Sequence, residues 1–425
     1  MKDSGGWLGR LLAMPIAAFG YAIGKWKAMS DSERMLESAE PLGLPQASVM
    51  KLAHAWSKLG AEAGAAGSWD KPELKPDESM LIERIRLETA EHNRNNVTRT
   101  EAYRTLYFQY PELHWALLAH MVSRNGGWNM TDLRGEWLPR LLTEKQRKDV
   151  FLLLERSNAL IFQDAYPQLL LYHWSRRLDR NLFHLLPSFG VSVFMGPVWR
   201  MFWHERNSPL LTVALIVNEQ HYIERRVVRN DYFKERVLKT LFFGLQSLMQ
   251  LNGVIFPYGS GKTEEERELR LSGLILESFE NLSERIAFGK SLYAMLFGIP
   301  RILEGVRSFA AAVKHTGSRS DYAPLLFQAI RHEPPRRVYK EKLLGGHLKK
   351  GAAPIYSPRL PDAWKDHPVD PPEQGDWFTG SAEALSHFRE LPLPSIFEIT
   401  NEYGLMLNKL ELAVLAAQRQ GKRGR

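Results

Sequence analysis

The chain has 425 residues, of which 44% are hydrophobic and 24% are charged, as in ordinary folded globular proteins. It contains no cysteine, which excludes disulfides, thiolate zinc sites, iron–sulfur clusters and a cysteine nucleophile, and suits a reducing compartment such as the cytoplasm. The formal net charge of +8 is modest for this length and favours an acidic partner, such as a nucleic acid or an anionic surface.

The first apolar stretch, residues 8–23, is flanked by Lys2, Arg10 and Lys25. A membrane-spanning helix needs about 20 apolar residues. We therefore expect the stretch to be a docked or disordered segment, or alternatively to make a peripheral contact with a membrane surface. Residues 60–77 are rich in Gly, Ala, Pro and Lys and predict a linker. Residues 1–77 are thus predicted to be an N-terminal segment and linker.

From residue 78 onward, apolar residues recur at spacings of three and four, and helix-capping pairs precede several of these stretches. Thr98 with Glu101, and Thr143 with Gln146, fit the capping box, in which two side chains satisfy free amides at a helix start. Alternating polar and apolar runs are scarce. The pattern predicts an all-α protein, a compact multi-helix bundle, with helices over 77–93, 98–110, 111–123, 143–162, 167–178, 208–228, 233–251, 264–289 and 291–313.

The region after residue 333 changes in composition. Prolines are dense over 334–376, with glycines at 345, 346 and 351, which predicts a long Pro/Gly-rich irregular segment near the C-terminus before a helix at 395–418. We therefore expect a main helical body over 78–333 and a C-terminal part over 334–425 that packs on it. If the basic stretch here binds nucleic acid, Tyr339 should be exposed beside the candidate anion-binding residues Arg336, Arg337, Lys340, Lys342, Lys349 and Lys350.

The first candidate site lies on the predicted helix over 77–93. Glu88, Glu91 and His92 share one helical face at offsets of three and four. Two carboxylates and an imidazole on one face suit a divalent metal or paired acid and base catalysis. The alternative is an exposed polar face in which Glu88 pairs with His92.

Other polar residues stand next to apolar runs. Arg124 and Asn125 precede Gly126 and Gly127, which are typical of a helix end, so both are expected on a turn that is well placed to bind a ligand. Alternatively, Arg124 caps the carbonyls of its own helix. Asp164 precedes Pro167, where a kink would free backbone groups. The last two candidates lie on different faces of the helix over 208–228 and are equally consistent with a buried polar network: Glu219 and His221.

Several runs carry a resemblance to a known family: ETAEHNRNNVTRTEAY, PELHWALLAHMVSRNGGWNMTDL, FQDAYPQLLLY, ALIVNEQHYIE and LNGVIFPYG. The chain resembles the YppC-type family, a domain-of-unknown-function family of Gram-positive bacilli, over most of residues 80–400. The resemblance implies a cytosolic bacterial protein. It implies no catalytic residue, cofactor or partner.

Two functional hypotheses remain open alongside nucleic-acid binding. The first is a non-catalytic interaction or scaffold protein, favoured by the absence of HExxH, GxSxG and GxGxxG motifs. The second is a hydrolytic or metal-assisted enzyme, for which no cofactor can be assigned. The enzyme hypothesis requires one pocket to be formed by Glu88, Glu91, His92, Arg124, Asn125, Asp164, Glu219 and His221.

Overall fold

The computed structural model describes residues 23–66, 74–238, 252–259, 269–332, 334, 338–368, 371, 375–380 and 384–423. Nearly all of the predicted N-terminal apolar segment, most of the helix predicted over 233–251, and Arg336 and Arg337 lie outside these described residues.

The described chain is mostly helical, as predicted. Its α-helices are α1 (23–36), α2 (Gln46–Ala66), α3 (Pro76–His92), α4 (Asn96–Gln109), α5 (His114–Asp132), α6 (Leu138–Leu141), α7 (Glu144–Leu178), α8 (Met195–Glu205), α9 (Ser208–Ile223), α10 (Asp231–Phe233), α11 (Leu282–Gly298), α12 (Pro300–Ala312), α13 (Leu360–Ala363) and α14 (Thr400–Arg423). Single π-helical turns follow α9 and α10, at Glu224–Val228 and Lys234–Leu238. Short 3-10 turns occur at Phe183–Phe189, Arg319–Asp321 and Ser386–Phe388.

Short strands interrupt the helices, so the all-α prediction holds only in its coarser form. The strands are β1 (Gly253–Pro257), β2 (Leu271–Ile275), β3 (Phe327–Gln328), β4 (Leu343–Leu344), β5 (His347–Leu348) and β6 (Ile355–Tyr356). They form two-stranded sheets, β1 with β2 and β4 with β5 antiparallel, and β3 with β6 parallel.

Helix starts are set by local side-chain contacts. The predicted capping box of Thr143 and Gln146 is confirmed at the start of α7. α4 begins two residues earlier than predicted, because Asn95 and not Thr98 is its cap: the Asn95 side chain accepts a hydrogen bond from the Thr98 amide at 3.1 Å. A polar residue three positions before a helical pattern is therefore as good a candidate for the cap as the first residue of the pattern.

α5 and α7 continue through residues predicted to end them. Gly126 and Gly127 lie inside α5, so Arg124 and Asn125 are helical and not on a turn. Gly127 is needed there because a Cβ atom would clash with the Asn96 side chain. Pro167 likewise lies inside α7, where burial of the surrounding residues outweighs the hydrogen bond that proline cannot donate.

The helix predicted over 264–289 is wrong over residues 271–275 and correct only from Leu282 onward. Residues 271–275 form β2, and α11 begins only at Leu282. The β1–β2 hairpin gains hydrogen bonds along its outer edges: the Ile255 amide donates to Asn125 on one side, and the Gly273 amide donates to the carbonyl oxygen of Phe397 on the other. These partners are distant in sequence, so no local pattern reveals the strands.

α5 lies at the centre of the helical body. It packs against α4, α7, α9, α11 and the hairpin strand β1. The core on both sides of α5 is rich in aromatic side chains, among them the fully buried Trp115, Trp128 and Trp199. α5 therefore carries the side chains that reach the interior from several directions.

Among the described residues, each single helix is too short or too polar to cross a membrane. The pair α11 and α12, which is bent by 92° at Ile299, has the necessary length and composition when the two helices are taken together.

The approach of α12 to the chain after β1 gives a stability prediction. A Cβ atom on Gly305 would lie 2.8 Å from the carbonyl carbon of Tyr258 and closer still to its oxygen. Because backbone atoms cannot rotate away, we expect Gly305→Ala to lower the free energy of unfolding by about 2–3 kcal/mol. Urea denaturation measures the change. Gly43→Ala is the matched control, since a Cβ there meets nothing within 4 Å, and equal midpoints for the two variants would contradict the prediction.

Candidate ligand-binding cavity

A cavity of about 240 Å³ lies in the helical body between α5, α7, α9, α11 and the start of β1. Most of its wall is apolar and consists of Leu118, Ala119, Val122, Leu153, Leu154, Ile161, Ile216, Phe288 and Leu292. Apolar cavities of about 150 Å³ stay dry and bind molecules of the size of benzene. This cavity therefore has room for a somewhat larger apolar molecule.

One end of the cavity is polar. The indole of Trp115 donates a hydrogen bond to Glu219 Oε2 at 3.2 Å. The ring of Tyr103 meets the same indole edge to face, with 5.3 Å between ring centroids. α4, α5 and α9 thus bring one hydroxyl and one carboxyl to the same end of an otherwise apolar wall.

Glu219 is held in its neutral form at neutral pH. Burial raises the pKa of its carboxyl to about 8, against the weaker opposing effect of hydrogen bonds from Gln220 and Trp115. The side chain is half-buried by surface area and lines the cavity. A neutral carboxyl donates one hydrogen bond as well as accepting others.

Arg285 is the basic residue of the described cavity wall, and its guanidinium is already bonded to other groups of the protein. Its guanidinium forms an ion pair with Glu224 and donates to Gln220 Oε1 at 2.9 Å and to the Phe279 carbonyl at 2.6 Å. These partners come from α9, from the π-helical turn that follows it and from the turn before α11. Arg285 therefore closes the wall between α9 and α11 and offers little positive charge to a ligand.

Asn125 lines the cavity, but its side chain forms hydrogen bonds with the backbone of β1. Its side-chain amide donates to the Ile255 carbonyl at 2.8 Å, and its oxygen accepts from the Ile255 amide at 2.9 Å. The side chain thus pairs with β1 as a neighbouring strand would. Asn125 fixes the position of β1 at the edge of the cavity.

Asp164 lies behind the cavity wall. It is buried and accepts hydrogen bonds from Gln168 at 3.0 Å and from Asn218 at 2.5 Å. Burial raises the pKa of the Asp164 carboxyl to about 7, and its charge adds to the rise in the pKa of Glu219. Asp164 joins α7 to α9 and influences the cavity only through its charge.

The other two buried candidates point to different neighbours. Arg124 donates to the Val313 carbonyl at 2.9 Å and lies over the Phe309 ring at 4.4 Å, and burial lowers its pKa to about 10. His221 is buried and stacks on Trp377 with 4.1 Å between ring centroids. Neither belongs to the cavity wall.

The α3 candidates form a separate group on the outer face of their helix. Glu88, Glu91 and His92 line an open groove there. The hydroxyl of Tyr166 lies 3.4 Å from Glu88 Oε1, and the Tyr166 ring packs edge to face against His92. The eight candidates therefore do not form one pocket, and only Asn125 and Glu219 share the cavity. Within the described ranges, His, Asp and Glu side chains do not gather in threes as metal ligands.

The predicted anion-binding surface is altered by packing. Tyr339 is 4% exposed and its hydroxyl donates to Glu411 Oε1 at 2.6 Å, so its predicted exposure is wrong. Lys342 is half-buried and donates to the Pro354 carbonyl, and Lys349 pairs with Glu341 at 2.7 Å. Lys340 and Lys350 remain exposed.

The comparisons with known proteins agree with each other. A family described as "Protein of unknown function (DUF2515)" matches residues 91–404. The chain belongs to this family. It is 40% identical over 340 residues to the uncharacterized protein YppC of Bacillus subtilis (strain 168). The aligned residues cover 80% of this chain and 95% of that protein. No solved structure matches the chain. The predicted resemblance is thus confirmed, and every described residue of the cavity wall lies in the part that matches the DUF2515 family.

Three residues of the site in this DUF2515 member were not among the candidates predicted from sequence: Tyr103, Trp115 and Arg285. Tyr103 and Trp115 are ordinary aromatic residues at core spacing, so nothing local distinguishes a cavity wall from filled core. Arg285 was correctly predicted to be helical, but its hydrogen-bond and ion-pair partners are not all within a helical turn of it, and no local pattern indicated them. A weak signal did exist for Glu219, since a carboxyl on an apolar helix face requires a partner or a neutral form.

Proposed function

We propose that the protein binds a small, mostly apolar molecule in the cavity between α5, α7, α9 and α11. The observation that carries this proposal is the 240 Å³ cavity itself. The cavity is partly open, since Val122 in its wall is 37% exposed, and the apolar atoms of its wall lack the packing contacts that a filled core would give them. A bound apolar molecule would restore those contacts.

The alternatives have less support. A hydrolytic or metal-assisted enzyme would need its acids, bases and amides to meet, and Glu88, Glu91 and His92 lie on another face of the protein from Glu219. A nucleic-acid interface around residues 331–350 would need exposed aromatic and basic side chains, and Tyr339 is buried. An interaction or scaffold role remains compatible with ligand binding, since a filled cavity would stabilise the surface formed by the surrounding helices.

The position of the cavity along the chain bears on how the protein is organised. We propose that residues 1–77, 78–333 and 334–425 are separate parts of a compact helical bundle in the cytoplasm. The described cavity wall falls entirely within the middle part, between Tyr103 and Leu292, which supports placing the binding function there. The last two parts meet where α14 packs on α6.

Ligand binding is tested with 2-ethylnaphthalene, an uncharged hydrocarbon of suitable size, by isothermal titration calorimetry. We expect one molecule to bind per chain. Ala119→Trp places an indole inside the cavity, because Ala119 lines it on α5, and should weaken binding at least about tenfold, which corresponds to about 1.4 kcal/mol.

The matched control is Ala90→Trp, since Ala90 is exposed on α3 away from the cavity. This variant should bind as the wild type does. If Ala119→Trp lowers the melting temperature severely, Leu154→Trp fills the same cavity from α7. Absence of binding by the wild type, or equal binding by the filled and control variants, would refute the proposal.

A further inference from the structure

The polar end of the cavity holds a hydroxyl that is buried and unsatisfied. Tyr103 is 3% exposed, lines the cavity, and its hydroxyl has no hydrogen-bond partner among the described residues. Leaving such a group unsatisfied costs about 1–3 kcal/mol. Among the described residues, the hydroxyls of several other buried tyrosines find partners, as that of Tyr339 does at Glu411 and that of Tyr322 does at Tyr403.

A second donor stands at the same end. Oε2 of Glu219 accepts the hydrogen bond from Trp115, whereas Oε1 has only a long contact of 3.4 Å from Gln220. In the neutral carboxyl, the proton on Oε1 is free to be donated into the cavity. Trp115 contacts both Tyr103 and Glu219, and the charge of Glu219 acts on the Tyr103 hydroxyl, so the two groups are neighbours at this end of the cavity.

We propose that the polar end of the cavity recognises an uncharged carbonyl group on an otherwise apolar molecule, with the Tyr103 hydroxyl and the Glu219 carboxyl as its hydrogen-bond donors. The inference rests on the proposed function, since it names the class of ligand that the same cavity takes. A carbonyl oxygen has two lone pairs and accepts both bonds at once.

The charges around the cavity favour an uncharged ligand. An anion would need a free cation in the wall, and the Arg285 guanidinium is bound to Glu224, Gln220 and the Phe279 carbonyl. A cation would need an ionised Glu219 and would lie in a wall that also contains Arg285. A neutral carbonyl leaves every existing pair intact.

The inference is tested with three probes of one shape: 2-acetylnaphthalene, 2-ethylnaphthalene and 1-(2-naphthyl)ethylamine. At pH 6.5, we expect the ketone to bind about fivefold to tenfold more tightly than the hydrocarbon, as one or two net hydrogen bonds allow. Tyr103→Phe should reduce this preference severalfold and leave hydrocarbon binding unchanged. Glu219→Leu should do the same, whereas Glu219→Gln, which retains a donor, should keep most of it.

The pH dependence gives an independent readout. Because burial raises the pKa of Glu219 to about 8, its proton is present below that pH and lost above it. Affinity for the ketone should therefore fall between pH 7 and pH 9 in the wild type and stay level in Glu219→Gln. Among the described residues, the titratable groups that interact with Glu219 are Tyr103 of α4 and Asp164 of α7, and Arg285 of α11 lies in the same cavity wall. All three are unchanged in that variant.

The outcomes separate the two proposals. If no probe binds, the proposed function fails. If ketone and hydrocarbon bind equally well, the cavity binds apolar molecules but the carbonyl inference is refuted. If the amine binds most tightly and loses its affinity in Glu219→Gln, the inference is also refuted, because the ligand class is then cationic.

Discussion

Arg99→Met is expected to lower the free energy of unfolding by about 3–5 kcal/mol, a large effect for a single substitution. Arg99 Nη2 lies 2.6 Å from Glu155 Oε2, and the two side chains are 1% and 3% exposed. Removal of the guanidinium leaves the Glu155 carboxylate buried without its counter-charge. The pair joins α4 to α7 behind the cavity, so its loss also loosens the wall. Urea denaturation measures the difference.

Two controls distinguish the effect of leaving a buried charge unpaired from the effect of losing any ion pair. Arg99→Met combined with Glu155→Leu removes both charges and should recover much of the lost stability, because neither partner is left unpaired. Lys51→Met breaks an ion pair of similar length, 2.8 Å to Glu205, in which the lysine is 65% exposed. Exposed pairs contribute about 0–1 kcal/mol. A change as large for Lys51→Met as for Arg99→Met would contradict the prediction.

The second large effect is the dependence of the free energy of unfolding on pH. The pKa of Glu219 is raised by burial from 4.5 to about 8 in the folded protein. The folded state therefore holds a proton that the unfolded state releases between these two values. This group stabilises the fold most below pH 4.5, and that stabilisation is lost as the pH rises toward 8. Asp164, whose pKa is raised to about 7, adds a dependence of the same sign.

Glu219→Gln removes the contribution of Glu219 and leaves that of Asp164. As the pH rises from 5 to 9, we expect the free energy of unfolding of the variant to increase by about 2–4 kcal/mol relative to that of the wild type. This is less than the full pKa shift implies, because the cavity gives the carboxyl some access to water. Chemical denaturation at several pH values measures this. Glu91→Gln, on the exposed face of α3, serves as the control, and parallel pH profiles for the two variants would show that Glu219 is not buried in its neutral form.

The sequence predicted the helices whose signals are local. α3 lies within one residue of its predicted bounds, and α7 begins where Thr143 and Gln146 cap it. The starts of α4 and α9 were predicted to within a few residues. Capping and helical periodicity depend on residues three or four positions apart, and such contacts exist before the chain folds.

Elements that depend on distant partners could not be predicted in this way. β1 and β2 are stabilised by Asn125 and by the segment at Phe397, which lie more than one hundred residues from their partners. Gly127 was interpreted as a helix end, but it lies within α5. A glycine is present there because Asn96 and His315 leave no room for a side chain. In both cases a tertiary contact overrides the local preference.

The residues of the site also differ in whether the local sequence could reveal them. Glu219 was a candidate because a carboxyl on an apolar helical stripe is costly unless it is paired or neutral, and that reasoning depends on local residues alone. Its neighbours Tyr103 and Trp115 were not candidates, since aromatic residues at helical spacing are typical of any core. Glu88, Glu91 and His92 satisfied the helical spacing for a shared site, but the face that they share lies outward.

By itself, the sequence determined that this chain is mostly helical, where several of its helices begin, which family it belongs to, and which chemistries the lack of cysteine excludes. Only the tertiary structure decided that α5, α7, α9 and α11 surround a cavity, and that Tyr103 of α4 and Glu219 of α9 lie at one end of it. The physical reason is that a cavity consists of the space between side chains from several elements. Local periodicity fixes the face on which each side chain lies, but the packing of the helices against one another fixes which faces meet and how much space they leave.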